Sequence, residues 1–154
     1  QFVIYGTGPE EAFLRQLAAD LGVHNRVHFR GQIDHAVMPQ HLQAGDIFIR
    51  PSRSEGMGNS FIEAMAAGLP VIATQEGGIA DFLFDATRDT KRQTTGWAVD
   101  VDSPEQIVAA VEDIQAHPTQ VAEVTKTARA MVRDRYDWDV VAQKIVTNVF
   151  DPLF

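Results

Sequence analysis

Two carboxylates, Glu55 and Glu63, flank the run Gly56-Met57-Gly58-Asn59-Ser60, with Phe61 and Ile62 before the second acid. A carboxylate accepts hydrogen bonds from vicinal hydroxyls, so an acid beside a phosphate cradle suits a nucleotide ribose or a sugar ring. The cradle would be the amides of Gly58, Asn59 and Ser60. If Asn59 opens a helix, these N–H groups lack intrahelical partners and the macrodipole favours an anion such as a diphosphate. The competing reading puts Glu63 on a solvated helix face and Glu55 in an ordinary polar loop, and both stay open from the residues alone.

Other motifs exclude more than they propose. Gly6-Thr7-Gly8 resembles the start of a dinucleotide fingerprint, but the third glycine would fall at Glu11, whose charge opposes a pyrophosphate. The acid expected after the second strand for a ribose hydroxyl is replaced by Arg30-Gly31-Gln32, so a nicotinamide enzyme is excluded. No metal site is expected, since His35 and His41 fall on different faces of one predicted helix. Ser54 and Ser60 lack the strand, Gly-x-Ser-x-Gly and helix context of a hydrolase elbow.

These residues need elements to position them. Gln1 to Tyr5 is an apolar run ending at Gly6-Thr7-Gly8-Pro9, which predicts a buried strand, and a core strand at the first residue leads us to expect sequence before Gln1. Phe13, Leu14, Leu17, Ala18 and Leu21 recur at helical spacing between Pro9 and Gly22. Strands are predicted at 27–31, 46–50, 71–74 and 96–99. Asp34 caps a helix to about Ala44, Asn59 opens one through Ala67 closed by Gly68 and Pro70, and a short one spans Ala80 to Phe84. Residues 85–95 read as an exposed, mobile loop with no apolar anchor beyond Ala86. Three helices follow, from Ser103-Pro104 to Ala116, Thr119 to Arg135 and Asp137 to Phe150. The alternation implies an α/β fold, a parallel sheet with helices on both faces. Gly6 to Glu10, Gly31 to Asp34, Ser52 to Asn59 and Gln75 to Gly78 should then line the carboxyl rim of the strands, where open sheets bind ligands.

Composition narrows the partners. The 154 residues are 45% hydrophobic and 22% charged, in keeping with one globular domain rather than a disordered or membrane-spanning chain. Thirteen basic against 21 acidic residues give a net charge of −8, which argues against nucleic acid and confines any phosphate site to a local feature. There is no cysteine, which fits a cytoplasmic location.

Pro51-Ser52-Arg53-Ser54-Glu55-Gly56-Met57-Gly58-Asn59, Glu63 to Thr74 and Gly77-Gly78-Ile79 together resemble the donor-binding domain of retaining glycosyltransferases of group 1, or family 4. Gly6 to Glu10, Val27 to Gly31 and Thr95-Gly96-Trp97 extend the resemblance over nearly the whole chain. It implies a GT-B enzyme of two Rossmann-like domains. Residues 1–150 would be the donor domain, truncated at its amino terminus, and helix 136–154 would cross to the missing acceptor domain. Glu63 would hold the donor ribose and Glu55, the catalytic candidate, the transferred sugar. Gly56, Met57, Gly58, Asn59 and Ser60 would receive the diphosphate, with Gly6 and Gly8 also at the donor, and Arg30, Gly31, Gln32 and Ile33 would line the base.

The resemblance further implies a nucleoside diphosphate sugar as substrate, no cofactor and no obligatory metal. Its implied partners are the missing domain, a peripheral membrane association through that domain, and self-association through the terminal helix. The family's basic pair would precede Gln1, so the isolated chain is expected to be inactive. Loop 85–95 is longer than the family usually carries, and Met57 replaces a more usual aromatic residue. Two other readings remain: a non-catalytic nucleotide-binding or assembly module, and a nucleotide-sugar epimerase of GT-B shape.

Overall fold

A computed structural model describes residues 1–151 of the chain. It divides into two compact units, Gln1–His41 and the residues from Leu42 onward. In the first unit β1 (Phe2–Tyr5) and β2 (Val27–Gly31) pair in parallel, Phe2 opposite Val27, with a slip in register between Ile4 and Tyr5. Between them α1 (Glu11–Asp20) sends Arg15 back to Glu11 at 2.8 Å and over the Phe29 ring at 4.4 Å.

The expectation of a buried first strand does not hold. Phe2 is 46% exposed and Val3 40%; these neighbours point to opposite faces of the two-stranded sheet, so neither face is covered well enough to bury the strand. The apolar stripe of α1 is likewise exposed, apart from Ala18. The Asp34 carboxylate caps a 3-10 turn over His35–Val37 by accepting from the Ala36 amide at 2.8 Å, and α2 (Met38–Gln43) follows.

The second unit is built on a parallel sheet in the order β3 (Phe48–Arg50), β4 (Val71–Thr74), β5 (Trp97–Val99). All four residues of β4 are buried, so its alternating side chains feed two cores. On one face Val71 and Ala73 join Phe61, Ala64 and Met65 of α3 (Asn59–Ala67) with Ala128 and Val132 of α5 (Pro118–Tyr136). On the other Ile72 joins Trp97, Val99 and Ala110 and Ile114 of α4 (Pro104–Ala116). Helices therefore cover both faces, as the alternation predicts. Fully burying a side chain such as Phe61 or Ile72 contributes about 1.5–3 kcal/mol.

Two expectations are corrected beyond β4. The short helix read over Ala80–Phe84 is a 3-10 turn at Gly77–Asp81. Phe84 leaves the helical path because its amide donates to Thr95 Oγ1 at 2.8 Å, and Phe82, Leu83 and Phe84 run buried into the core. Loop 85–95 is anchored rather than free at its ends. Asp85 is 8% exposed, its Oδ1 accepting from the Thr87 amide and hydroxyl and its Oδ2 from the Ala98 amide of β5 at 2.8 Å. Thr95 Oγ1 donates to the Phe82 carbonyl at 2.6 Å, and Arg92 lies 4.5 Å over the Phe84 ring, an apolar anchor that sequence reading missed.

The Asp100 carboxyl is held below its ordinary value by a hydrogen bond from Gln106 and by Arg88. Burial pushes the Tyr136 phenol up where its ring meets Phe82 edge-on at 6.2 Å. The chain ends in α6 (Trp138–Ile145) and a π-helical turn at Val146–Phe150. No residue of α6 is buried and Trp138 is 82% exposed, so α6 adds no buried side chain to either core. Among the described residues no helix is long and apolar enough to cross a membrane.

Candidate functional site

The site of the second unit begins where β3 ends. Arg50 is registered against Ala73 of β4, and the proline after it turns the chain out of the sheet. Thr74 at the end of β4 donates its hydroxyl to the Ser52 carbonyl at 2.6 Å, which ties the emerging loop to the strand beside it. The loop then folds Glu55 inward, its side chain 16% exposed. Its Oε2 accepts from Arg50 Nη2 at 2.8 Å and from Ser52 Oγ at 3.3 Å. Arg50 Nη1 donates to Ser60 Oγ at 2.8 Å, and its guanidinium stands 5.4 Å from the centre of the buried Phe61 ring.

Gly58 makes the turn into α3. Its φ of 70° is left-handed, and a Cβ there would sit 2.5 Å from the Phe61 ring, so only glycine fits. Gly58 is the N-cap of α3 and supplies no side-chain cap, leaving the first amides of the helix, at Asn59 and Ser60, for an external acceptor. Gly77 and Gly78 hold the loop from the β4 side. The Gly78 amide donates to the Gly56 carbonyl at 2.9 Å, and a Cβ on Gly78 would lie 2.5 Å from that oxygen. A Cβ on Gly77 would collide with the Glu55 carbonyl.

Phe61, Ala64 and Met65 bury one face of α3, which by helical period turns Asn59 and Glu63 to the opposite side and leaves Ser60 on the flank, where Arg50 reaches it. Glu63 is half-buried there, one turn beyond Ser60. Met57 is 47% exposed, free of the packing that an aromatic residue would need. The structure thus joins Glu55, Gly56, Gly58, Asn59 and Ser60 in one held loop, and of the four segments expected on one rim it brings two, Ser52 to Asn59 and Gln75 to Gly78, together within the second unit.

The first unit holds the remaining candidates. Gly6 and Gly31 are bridged by the Gly6 amide donating to the Gly31 carbonyl at 2.7 Å, and the Gly8 carbonyl accepts from Glu11 at 3.2 Å. Arg30 and Gln32 are exposed and Ile33 is half-buried. Tyr5 Oη lies 3.1 Å from His41 Nδ1. His24 and His28 are four residues apart but sit in a turn and in β2. Among the described residues no three His, Asp or Glu side chains gather as a metal-binding set.

Sequence reasoning missed Arg50, and it placed Ser52 on the rim without foreseeing its bond to Glu55. A cation at the last position of a strand, one residue before the turn into the acidic loop, was the available signal. The same reasoning placed Gly77-Gly78 on the ligand rim but did not foresee the pair as a contact surface for the loop of Glu55.

A family model described as glycosyl transferases group 1 matches residues 1–131. A GDP-mannose-dependent alpha-(1-6)-phosphatidylinositol monomannoside mannosyltransferase of Mycobacterium tuberculosis is 33% identical over 150 residues, 93% of this chain and 37% of that protein. A related mannosyltransferase of Corynebacterium glutamicum is 30% identical over 97% of this chain and 38% of its own length. The chain therefore spans little more than a third of these relatives. Sucrose-phosphate synthase from Thermosynechococcus elongatus superposes with a TM-score of 0.84 at 27% identity, over 100% of this chain and 38% of that one. Anabaena HepE in complex with UDP-glucose superposes with the same TM-score of 0.84 at 22% identity, over 97% and 40%, a likeness of fold.

Proposed function

The chain belongs to the group 1 glycosyl transferases, and from that premise we propose that it is the donor-binding half of an enzyme that moves a glycosyl group from a nucleoside diphosphate sugar to a hydroxyl acceptor. In that reaction the bond from the anomeric carbon to the diphosphate oxygen breaks, the acceptor oxygen bonds to the same carbon, and the acceptor hydroxyl gives up its proton. We assign retention of configuration and an acceptor-binding half outside this chain on the family resemblance. The absence of cysteine is compatible with a cytoplasmic enzyme.

The observation that carries the reading is the loop Glu55–Ser60: an uncapped helix start beside a carboxylate whose two described bonds both fall on Oε2. The amides of Gly56 to Ser60 receive the diphosphate, and Glu55 Oε1 accepts from a hydroxyl of the transferred sugar. Glu63 accepts from the ribose hydroxyls. The base is assigned to Arg30–Ile33 by the resemblance alone. The amides at the start of α3, together with the family's basic pair expected before Gln1, stabilise the departing diphosphate as its charge develops, which removes the need for an obligatory metal.

Calorimetry and amide chemical shifts with GDP, UDP, GDP-mannose and UDP-glucose test the site. At least one of them should bind weakly with shifts centred on Gly56 to Glu63. In the whole protein Glu63→Ala should mainly raise the donor KM and Glu55→Ala mainly lower kcat, because the ribose contact serves ground and transition states alike. No heat and no shift with any of the four ligands would overturn the assignment.

A further inference from the structure

We propose that Arg50 is a positioning residue for the transferred sugar, acting through Glu55 and not by touching the donor. This rests on the reading of Glu55 as the sugar contact.

The guanidinium is a two-pronged strut. Nη2 holds Glu55 Oε2 and Nη1 holds Ser60 Oγ, both at 2.8 Å, so one planar group fixes the acid of the loop relative to the first turn of α3. Its own origin is rigid, because Arg50 is the last residue of β3 and pairs with the buried Ala73. Its guanidinium carbon stands 5.4 Å from the centre of the fully buried Phe61 ring. Sites held to a few tenths of an ångström need such support behind the contacting atom.

The chemistry also accounts for which oxygen is presented. Arg50 and Ser52 both bind Oε2, so the carboxylate cannot rotate without losing both partners, and its other oxygen faces a fixed direction. An ion pair with one partner only 16% exposed contributes geometry more reliably than net stability, since desolvation offsets much of the attraction. Lysine is no equal substitute. Its ammonium can approach Glu55 but cannot span Glu55 and Ser60 in one planar fork.

The test uses the whole protein, with turnover of GDP-mannose and UDP-glucose and calorimetry with GDP and UDP, which carry no sugar. Arg50→Met should lower kcat about tenfold while the donor KM and the Kd for the free diphosphate stay within about twofold. Arg50→Lys should recover part of that loss, and Ser60→Ala, which frees one prong, should lower kcat by a smaller factor. Arg50→Met combined with Glu55→Gln should be no worse than Glu55→Gln alone.

A tenfold weaker Kd for GDP or UDP in Arg50→Met would make Arg50 a direct phosphate ligand and overturn the proposal, as would multiplicative losses in the double variant. Should Arg50→Met fail to fold, Arg50→Lys decides by the same split between kcat and KM. If Glu55→Gln itself changes neither constant, the reading of Glu55 has failed. If it impairs turnover and the Arg50 variants do not, the strut alone has failed.

Discussion

Three glycines of the second unit allow backbone strain and steric collision to be separated. Gly56 has no left-handed φ and open space where a Cβ would go, Gly68 has φ 86° with open space, and Gly77 has φ 58° with the Glu55 carbonyl in the way. Alanine in the left-handed region loses about 1–2 kcal/mol, and removing a glycine from the unfolded chain returns about 0.4–1. Gly68→Ala should therefore destabilise by about 1 kcal/mol, whereas Gly56→Ala, with no strain term, should stabilise by about 0.4–1 kcal/mol. Gly77→Ala adds a clash with main chain, which cannot swing aside as a side chain can. Overpacking of this kind costs about 1–3 kcal/mol beyond the strain.

Urea unfolding with the slope m held in common measures the three differences. The same Gly77→Ala variant should lose diphosphate binding, because relieving the collision moves Glu55 and Gly56 away from the helix start. If Gly77→Ala and Gly68→Ala fall within about 0.5 kcal/mol of one another, the close approach of the two loops is refuted.

Asp85→Ala leaves the Ala98 amide of β5 and the Thr87 groups without their acceptor, so it should destabilise by about 1–3 kcal/mol, with Asp85→Asn intermediate; thermal melting checks both. A neutral Asp85→Ala would return loop 85–95 to a surface loop without anchors. Tyr136, whose phenol is raised above its ordinary 10.0 by burial, contributes stability that is fully present below that value and lost as pH rises through the folded pKa. Tyr136→Phe should flatten that alkaline decline in a pH series of urea midpoints, and an unchanged decline would show that the ring ionises without loss of packing.

The elements of the second unit were legible because their boundaries carry local signals. Asn59–Ala67 starts after a left-handed glycine and ends at another, Gly68, and Pro104 and Pro118 sit at the first positions of α4 and α5. The misreadings fall where a long-range partner overrides the local pattern. Ile79, Phe82 and Leu83 have helical spacing, yet Thr95, eleven residues beyond Phe84, captures the amide that would have continued the helix. Asp85 looks like a solvated loop acid until β5 delivers the Ala98 amide to it.

The candidate site divides the same way. Glycine spacing and the two acids marked the loop and the helix start, because those depend on neighbours in sequence. Arg50 was invisible since its two acceptors lie five and ten residues on, and their approach depends on how the loop returns over the strand. The first unit shows the converse: the apolar run of β1 was read as burial, but an apolar run records only which residues could be buried, not that anything covers them.

What fixes the loop and what the loop offers are different sets of atoms. Arg50, Thr74, Gly77 and Gly78 fix it from the sheet side, two by side-chain bonds and two by leaving room for main chain. The loop in turn offers backbone amides, Glu55 Oε1 and the half-exposed Met57, none of which is needed to hold its shape. Changes at Thr74, Gly77 and Gly78 move the main chain of the loop and must therefore disturb stability and binding together, whereas loss of the Arg50 strut frees the Glu55 carboxylate alone, and changes in the offered set can alter what is bound while the fold is kept. On the proposed reading a net charge of −8 does not exclude an anion cradle, because the cradle is built from local amides at the start of α3 while Arg50 pairs with the neighbouring Glu55.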